Sequence, residues 1–525
     1  ETYIFLYDMA IENFMKKEDE DLYKQIFINI KSSDESIFDL MKNTKPKDVI
    51  KYCDLLNTKN LKIENFGSIK QANIDISPLT IFIGPNSSGK SFIAQIIQCF
   101  NSRFDNYGDM FNEALNSTKY FDKRAEELFS KFSNQISKYI KDNPSLYSDP
   151  LKIPVSELKY LIENGILKYF SELFGDKIKK QFDVKNLDEL IQFKKKYFRI
   201  EINDTILVKE VNKNFKMESS LMEVPSSEEP MINDEIVLKF DKNDENILIN
   251  MNSFLINKRF DNEDEMIHYM IYALFGVSIF EDTLLKNSYY IPAERSIFTK
   301  DKTIISKRIQ NKIVFSKNQE DFALSLFNLN GDEKGQFYDL ACSFEKELSG
   351  GHIVLEKDGL FNNVKYLDFN ENIKVSPKLL STSLNEMAAI ILYLKYILKE
   401  DDLLIIEEPE AHLHPKNQRI LVKYLAEAIN NGLNVLITTH SDYVIHQFNN
   451  LIRLGNLTSD EIFKLNYDEN NVLNFKDVNI YHFKEQSKYS FVPEKIEVNN
   501  TGFTEDNFSK ITEELYEESI DIINF

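Results

Sequence analysis

The sequence predicts an α/β fold with a parallel sheet, an antiparallel β subdomain and a helical insertion. Three observations predict it. The apolar run Leu79-Thr80-Ile81-Phe82-Ile83 leads through a glycine-containing loop into a helical face made by Ile93, Ile96, Ile97 and Phe100. A second unit sets two apolar runs, Leu403 to Ile406 and Val435 to Ile437, on either side of one helix, a βαβ arrangement. Between them, residues 197–257 alternate as half-buried strands do.

Bulk composition narrows the class. The 525 residues carry 63 basic and 84 acidic side chains, a formal charge of −21, which excludes a generally basic nucleic-acid coat. With 42% hydrophobic residues the chain can bury substantial cores, in about three domains. No apolar run reaches the roughly 18–20 residues of a bilayer span; Ala388 to Leu398 is short and broken by Lys395. No membrane association is expected. Cys53, Cys99 and Cys342 lack the spacing of a zinc site or a disulfide framework, which predicts a reducing cytoplasm.

In chain order, residues 1–60 form an N-terminal segment whose Ile4, Ala10, Ile11 and Phe14, then Leu22, Ile26 and Ile30, recur at helical spacing. Residues 61–100 hold three short strands and the strand, loop, helix unit. Residues 101–196 return to helical periodicity and end in Lys194-Lys195-Lys196, a helical insertion. Residues 197–284 read as a small antiparallel sheet around the Pro225–Pro230 loop, then a helix over about 263–282. Residues 285–525 hold a strand at 289–291, a helical stretch over 321–347, the second α/β unit and a C-terminal extension.

Gly84-Pro85-Asn86-Ser87-Ser88-Gly89-Lys90-Ser91 fits G-x-x-x-x-G-K-[ST] in the required context, after an apolar strand and at the start of a helix. The glycines let the backbone turn its N–H groups onto phosphate oxygens, and the helix N-terminus adds positive potential. Lys90 is then the contact for β- and γ-phosphates, and Ser91 a hydroxyl ligand for Mg²⁺. A chance match in an ordinary turn is the competing reading, outweighed by the flanking elements.

Leu403-Leu404-Ile405-Ile406-Glu407-Glu408-Pro409 reads as a buried parallel strand ending in two carboxylates. Ligands bind beyond the carboxyl ends of such strands, so Glu407 is placed toward Mg²⁺ and Glu408, on the opposite side, toward a water. Asn434 to Thr439 repeats the form and brings His440 to the same edge. Ser383-x-x-Glu386 is a capping-box pattern that marks a helix N-terminus; read alone it is a cap, and its place 24 residues before Glu407 makes it a candidate for another anion site.

These residues together resemble the ABC-type ATPase heads of the SMC and OLD-like groups, and specifically the AAA-family ATPases of OLD-like type. Asn65 to Ile69 resembles the opening strand motif, Gly84 to Ser91 the Walker A loop, and Ser381-Thr382-Ser383 a degenerate signature motif. Glu407 to Pro415 is similar to Walker B and the D-loop, Thr438 to Ser441 to the H-switch, and Tyr290 to Arg295 to a further segment of these proteins. The resemblance covers 61–100 and 285–450. It implies an ABC-type P-loop NTPase head that binds ATP and Mg²⁺ and works as a homodimer or higher homo-oligomer. The signature serine, Ser381 or Ser383, would reach the γ-phosphate held by the partner's Walker A loop. Glu408 would activate the attacking water, His440 would contact that water and the γ-phosphate, and Glu407 would act through Mg²⁺. Glu407 departs from the usual aspartate, the signature lacks its paired glycines, and His414 stands where the transporter-type D-loop has aspartate; no Q-loop is clear, with Glu294 and Arg295 in its neighbourhood.

The segment after His440 contains no Asp-x-Asp and no HNH pattern, so the reading expects a separate effector protein, a toxin or nuclease, as in stand-alone heads of anti-phage defence systems. Two alternatives stand beside it. One is an SMC-like or repair-type ATPase that binds nucleic acid itself, through runs such as Lys194-Lys195-Lys196. The other is a scaffold that binds ATP with little turnover.

Overall fold

A computed structural model describes residues 59–101, 121–142, 151–202, 205–214, 216–219, 231–232, 236–241, 246–251, 287–296, 315–329, 331, 333–358, 361–368, 373–504 and 506–524. The expected helices of 1–58 and about 263–282 and the Pro225–Pro230 loop lie outside the described residues.

The chain opens with β1 (Lys59–Phe66), β2 (Ile69–Ile76) and β3 (Leu79–Ile83), followed by α1 (Lys90–Asn101). Next come α2 (Lys123–Asp142), β4 (Leu151–Pro154), α3 (Val155–Leu161) and α4 (Leu167–Phe182). Six short strands follow: β5 (Tyr197–Ile202), β6 (Thr205–Glu210), β7 (Lys216–Ser219), β8 (Met231–Ile232), β9 (Ile236–Asp241) and β10 (Asn246–Met251). After β11 (Ser288–Ile291) come α5 (Lys317–Phe327) and α6 (Tyr338–Ser349), then β12 (Gly351–Asp358), β13 (Phe361–Asp368) and β14 (Lys374–Val375). The last part holds α7 (Thr382–Tyr396), β15 (Leu403–Glu407), α8 (Pro415–Asn430), β16 (Asn434–Thr439) and α9 (Asp442–Arg453). It ends with α10 (Ser459–Lys464), β17 (Val478–Ser487), β18 (Ser490–Ile496) and α11 (Asp506–Asn524).

Among the described residues one sheet of eleven strands organises the molecule, in the order β11-β15-β16-β3-β17-β18-β2-β1-β5-β6-β7. From β11 to β17 neighbours run parallel, while β1 pairs antiparallel with β2 and β5, and β6 and β7 continue that half. The Walker A strand β3 and the acidic strand β15 are thus separated by β16. This is a mixed α/β architecture built on one large mixed sheet. Residues of β3 are buried throughout, as an apolar strand covered on both faces requires.

Strand alternation sorts the core into two faces. Leu403 and Ile405 pack with Ile93, Ile96 and Ile97 of α1, whereas Leu404 and Ile406 pack with α7, α8 and α9 on the other side. Among the described residues no helix is long and apolar enough to cross a membrane.

Three local expectations change. The strands of 197–257 do not make one sheet: β5–β7 extend the large sheet, and β8–β10 join β4, from within the expected helical insertion, in a separate sheet of order β4-β10-β9-β8. Alternation reveals a strand but not its partner. The helical stretch over 321–347 is two helices, because Gly335 packs its Cα against the Lys395 carbonyl, where a Cβ would lie at 3.0 Å from that oxygen. Ser383 is not the cap of α7. Ser381 is, its hydroxyl accepting from the Leu384 N–H at 3.3 Å, while Glu386 is drawn into the core by a buried arginine.

Candidate active site

The Walker A loop leaves β3 at Gly84 (φ +141°), where a Cβ would lie 2.9 Å from the Phe483 carbonyl, and re-enters helix after Gly89 (φ +96°), pressed against Ser68 and Ile69. Pro85, Asn86 and Ser87 are exposed and Ser88 is buried. Ser91 stands in the first turn of α1. The Lys90 side chain folds back over the loop: Nζ donates to the carbonyls of Gly84 at 3.0 Å and Pro85 at 2.9 Å, with the Ser88 hydroxyl at 3.5 Å. Burial lowers its pKa to about 8, against the pull of the Glu408 and Glu410 charges.

Register brings three strand ends together. Ile83 pairs with Thr439, and Thr438 with Glu407, so the Walker A loop, His440 and Glu408 all emerge at one edge of the sheet. Glu407 ends β15, and alternation puts it on the α1 side with Ile405. The direction of Glu408 has a different origin from the one expected. The strand has ended, and Glu408 adopts a left-handed φ of +42°. Its N–H is anchored to the Thr438 carbonyl at 2.9 Å and hydroxyl at 3.3 Å. A strained non-glycine residue persists only where its surroundings hold it.

Arg295 provides that hold. It is fully buried, and its guanidinium donates to the carbonyls of Glu407 (3.1 Å), Glu408 (3.4 Å) and Pro409 (3.0 Å) and to that of Glu386 (3.2 Å). It also forms a 3.2 Å ion pair with the buried Glu386 carboxylate in the first half of α7. Arg295 is therefore a clamp beneath the turn, not the solvent-facing residue of a Q-loop. Arg295→Ala should lower stability by about 3–5 kcal/mol, since Glu386 is left as a lone buried charge. Arg295→Met with Glu386→Gln should lose less, as read from thermal or denaturant unfolding. Equal losses in the two variants would contradict the clamp.

Two groups at the edge escaped sequence reasoning. Glu410 accepts the His440 N–H on Oε1 at 2.7 Å, while its Oε2 is buried with no hydrogen-bond partner. Burial raises its pKa, opposed by the His440 N–H and the Thr439 hydroxyl. A third carboxylate within Glu407–Glu410 was the available signal. Tyr290 of β11 is the other, its hydroxyl buried beside Glu407. His440 itself is held down to about 4, first by burial and then by the Lys90 charge, so its imidazole is neutral at neutral pH.

Ser381 and Ser383 engage their own helix and α8. Ser383 accepts from the Asn417 side chain of α8 at 3.2 Å, and neither serine hydroxyl bonds to the 84–91 loop of its own chain. His414 caps α8, its Nδ1 accepting from the Lys416 N–H at 3.2 Å. The Ser91 hydroxyl at the start of α1 and the Glu407 carboxylate on the α1 side of the sheet are both oxygen donors, the set that suits Mg²⁺.

Residues 57–445 match a protein family described as AAA ATPase domain. No curated protein matches the chain. Among solved structures it is similar to an SMC head bound to the C-winged helix domain of ScpA, with 11% identity and a TM-score of 0.35, covering 84% of this chain and 98% of that one. An SMC head domain from Thermotoga maritima gives 12%, 0.30, 84% and 100%. An Smc head with an extended coiled coil, bound to the C-terminal domain of ScpA derived from Pyrococcus furiosus, gives 10%, 0.30, 87% and 99%.

Proposed function

The chain belongs to the AAA ATPase domain family, and from that premise we propose that it is a Mg²⁺-dependent ATP hydrolase working as a dimeric, nucleotide-driven switch. The observation that carries the reading is the register of β3, β16 and β15, which assembles the Walker A loop, His440 and the Glu407–Glu408 pair at one sheet edge. Backbone N–H groups of 84–91 and Lys90 bind the triphosphate, with Lys90 exchanging the Gly84 and Pro85 carbonyls for phosphate oxygens. Glu408 orients and deprotonates the attacking water, and neutral His440 donates or accepts a hydrogen bond at the same place. Ser91 and Glu407 would hold Mg²⁺, which when bound offsets charge on the phosphate oxygens.

In this reading Ser381 or Ser383 completes the site of a second copy. The switch is proposed to control a separate toxin or nuclease within an anti-phage defence system, an assignment that rests on the resemblance of the motif set. Phosphate release from ATP should require Mg²⁺ and cease in EDTA. Mixing inactive Lys90→Ala protein with an inactive Ser381→Ala/Ser383→Ala variant should restore about a quarter of the native rate, because half the dimers are mixed and each has one intact site of two. No recovery after exchange of subunits is the result that contradicts a shared site.

A further inference from the structure

Behind Glu407 the core contains polar groups that packing alone does not explain. Tyr290 pairs in register with Ile405 and lies on the same face, so its ring runs along the sheet toward Glu407, two residues further on. Its hydroxyl is buried among the Glu407 carboxylate and the side chains of Gln95 and Asn318, in full hydrogen-bond geometry with none of them. One turn along α1, Gln98 donates to the Ser288 carbonyl at 3.4 Å, while the Gln98 side-chain oxygen and the Ser288 hydroxyl are also buried without partners. Asn318 of α5 is itself buried and accepts from Gln181 at the end of α4. A polar seam thus runs from the end of β15 between α1 and α5.

Buried polar atoms without partners cost folding free energy, and a phenylalanine at 290 would fill the same space without that cost. What the hydroxyl adds is one proton donor beside a carboxylate that can only accept. We propose that Tyr290 is a positioning residue for Glu407, donating to one carboxylate oxygen so that the other is presented to the cation of the bound nucleotide. The inference rests on the reading above that Glu407 acts through Mg²⁺. It extends that reading to a residue on the neighbouring strand.

The test is the affinity for ATP, measured by calorimetry on the native protein, Tyr290→Phe and Glu407→Gln, each in Mg²⁺ and in EDTA. For Tyr290→Phe we expect a melting temperature equal to or above the native one and an unchanged affinity in EDTA. The gain in affinity on adding Mg²⁺ should be smaller by about tenfold, the scale of one hydrogen bond to a charged group. Glu407→Gln should lose most of the Mg²⁺ gain. A native Mg²⁺ gain in Tyr290→Phe, or a loss that is the same in EDTA, overturns the positioning role while leaving the role of Glu407 intact. A native Mg²⁺ gain in Glu407→Gln overturns both.

Discussion

Lys90→Ala is expected to abolish nucleotide binding, weakening ATP by at least about 100-fold, or ~2.7 kcal/mol. The ammonium is held inside the loop it serves, on the carbonyls of Gly84 and Pro85, and is almost wholly buried. Desolvation has already brought its pKa to about 8, so the charge is expensive to keep there and is stabilised by any anion that replaces a carbonyl. Incoming phosphate is such an anion, and the free-energy difference between a carbonyl and a phosphate partner is what the substitution removes. Lys90→Arg should not rescue binding, because a planar guanidinium does not fit a loop closed around a single ammonium. Calorimetric titration with ATP checks both variants, and unfolding without nucleotide separates lost binding from lost folding. A native affinity in Lys90→Ala would refute the phosphate-loop reading.

Glu408→Gln is expected to keep ATP affinity while turnover falls by roughly 10²–10⁴-fold, the usual worth of a general base. The backbone at 408 is tied on both sides, its N–H to Thr438 and its carbonyl to Arg295, so the substitution changes charge without moving the chain. Glutamine can still orient a water but cannot take its proton. Single-turnover phosphate release at saturating ATP measures the effect, and ATP-bound dimer should accumulate by light scattering. Equal rates in the two proteins would move the chemistry to another carboxylate, with Glu410, two residues on at the same edge, the next candidate.

The parts of the site that could be read along the chain were those made by consecutive residues. The Walker A loop is one such part, since glycine at both ends and lysine at the helix start are demanded by backbone geometry. The ends of β15 and β16 are another, since an apolar run followed by polar residues marks where a buried strand surfaces. Ser381 shows the limit of such reading. Serine at 381 and at 383 both precede an apolar helix, and the choice of cap depended on Arg295 drawing Glu386 into the core and away from the capping box. Glu408 shows another: the expectation that it points opposite to Glu407 assumed a continuing strand, whereas a left-handed turn clamped from below aims it.

Residue order was sufficient for the α/β class of fold and the phosphate-loop motif, and it named some of the residues able to do chemistry, because periodicity and loop geometry are properties of neighbours in the chain. Folding in three dimensions decided which of them meet. The pairing of Ile83 with Thr439, the Arg295 clamp, the buried free oxygen of Glu410 and the place of Tyr290 beside Glu407 all join segments far apart in sequence. Hydrophobic pattern says which face of an element is covered, but the partner that covers it is chosen by packing and register, energies that exist only once the elements touch.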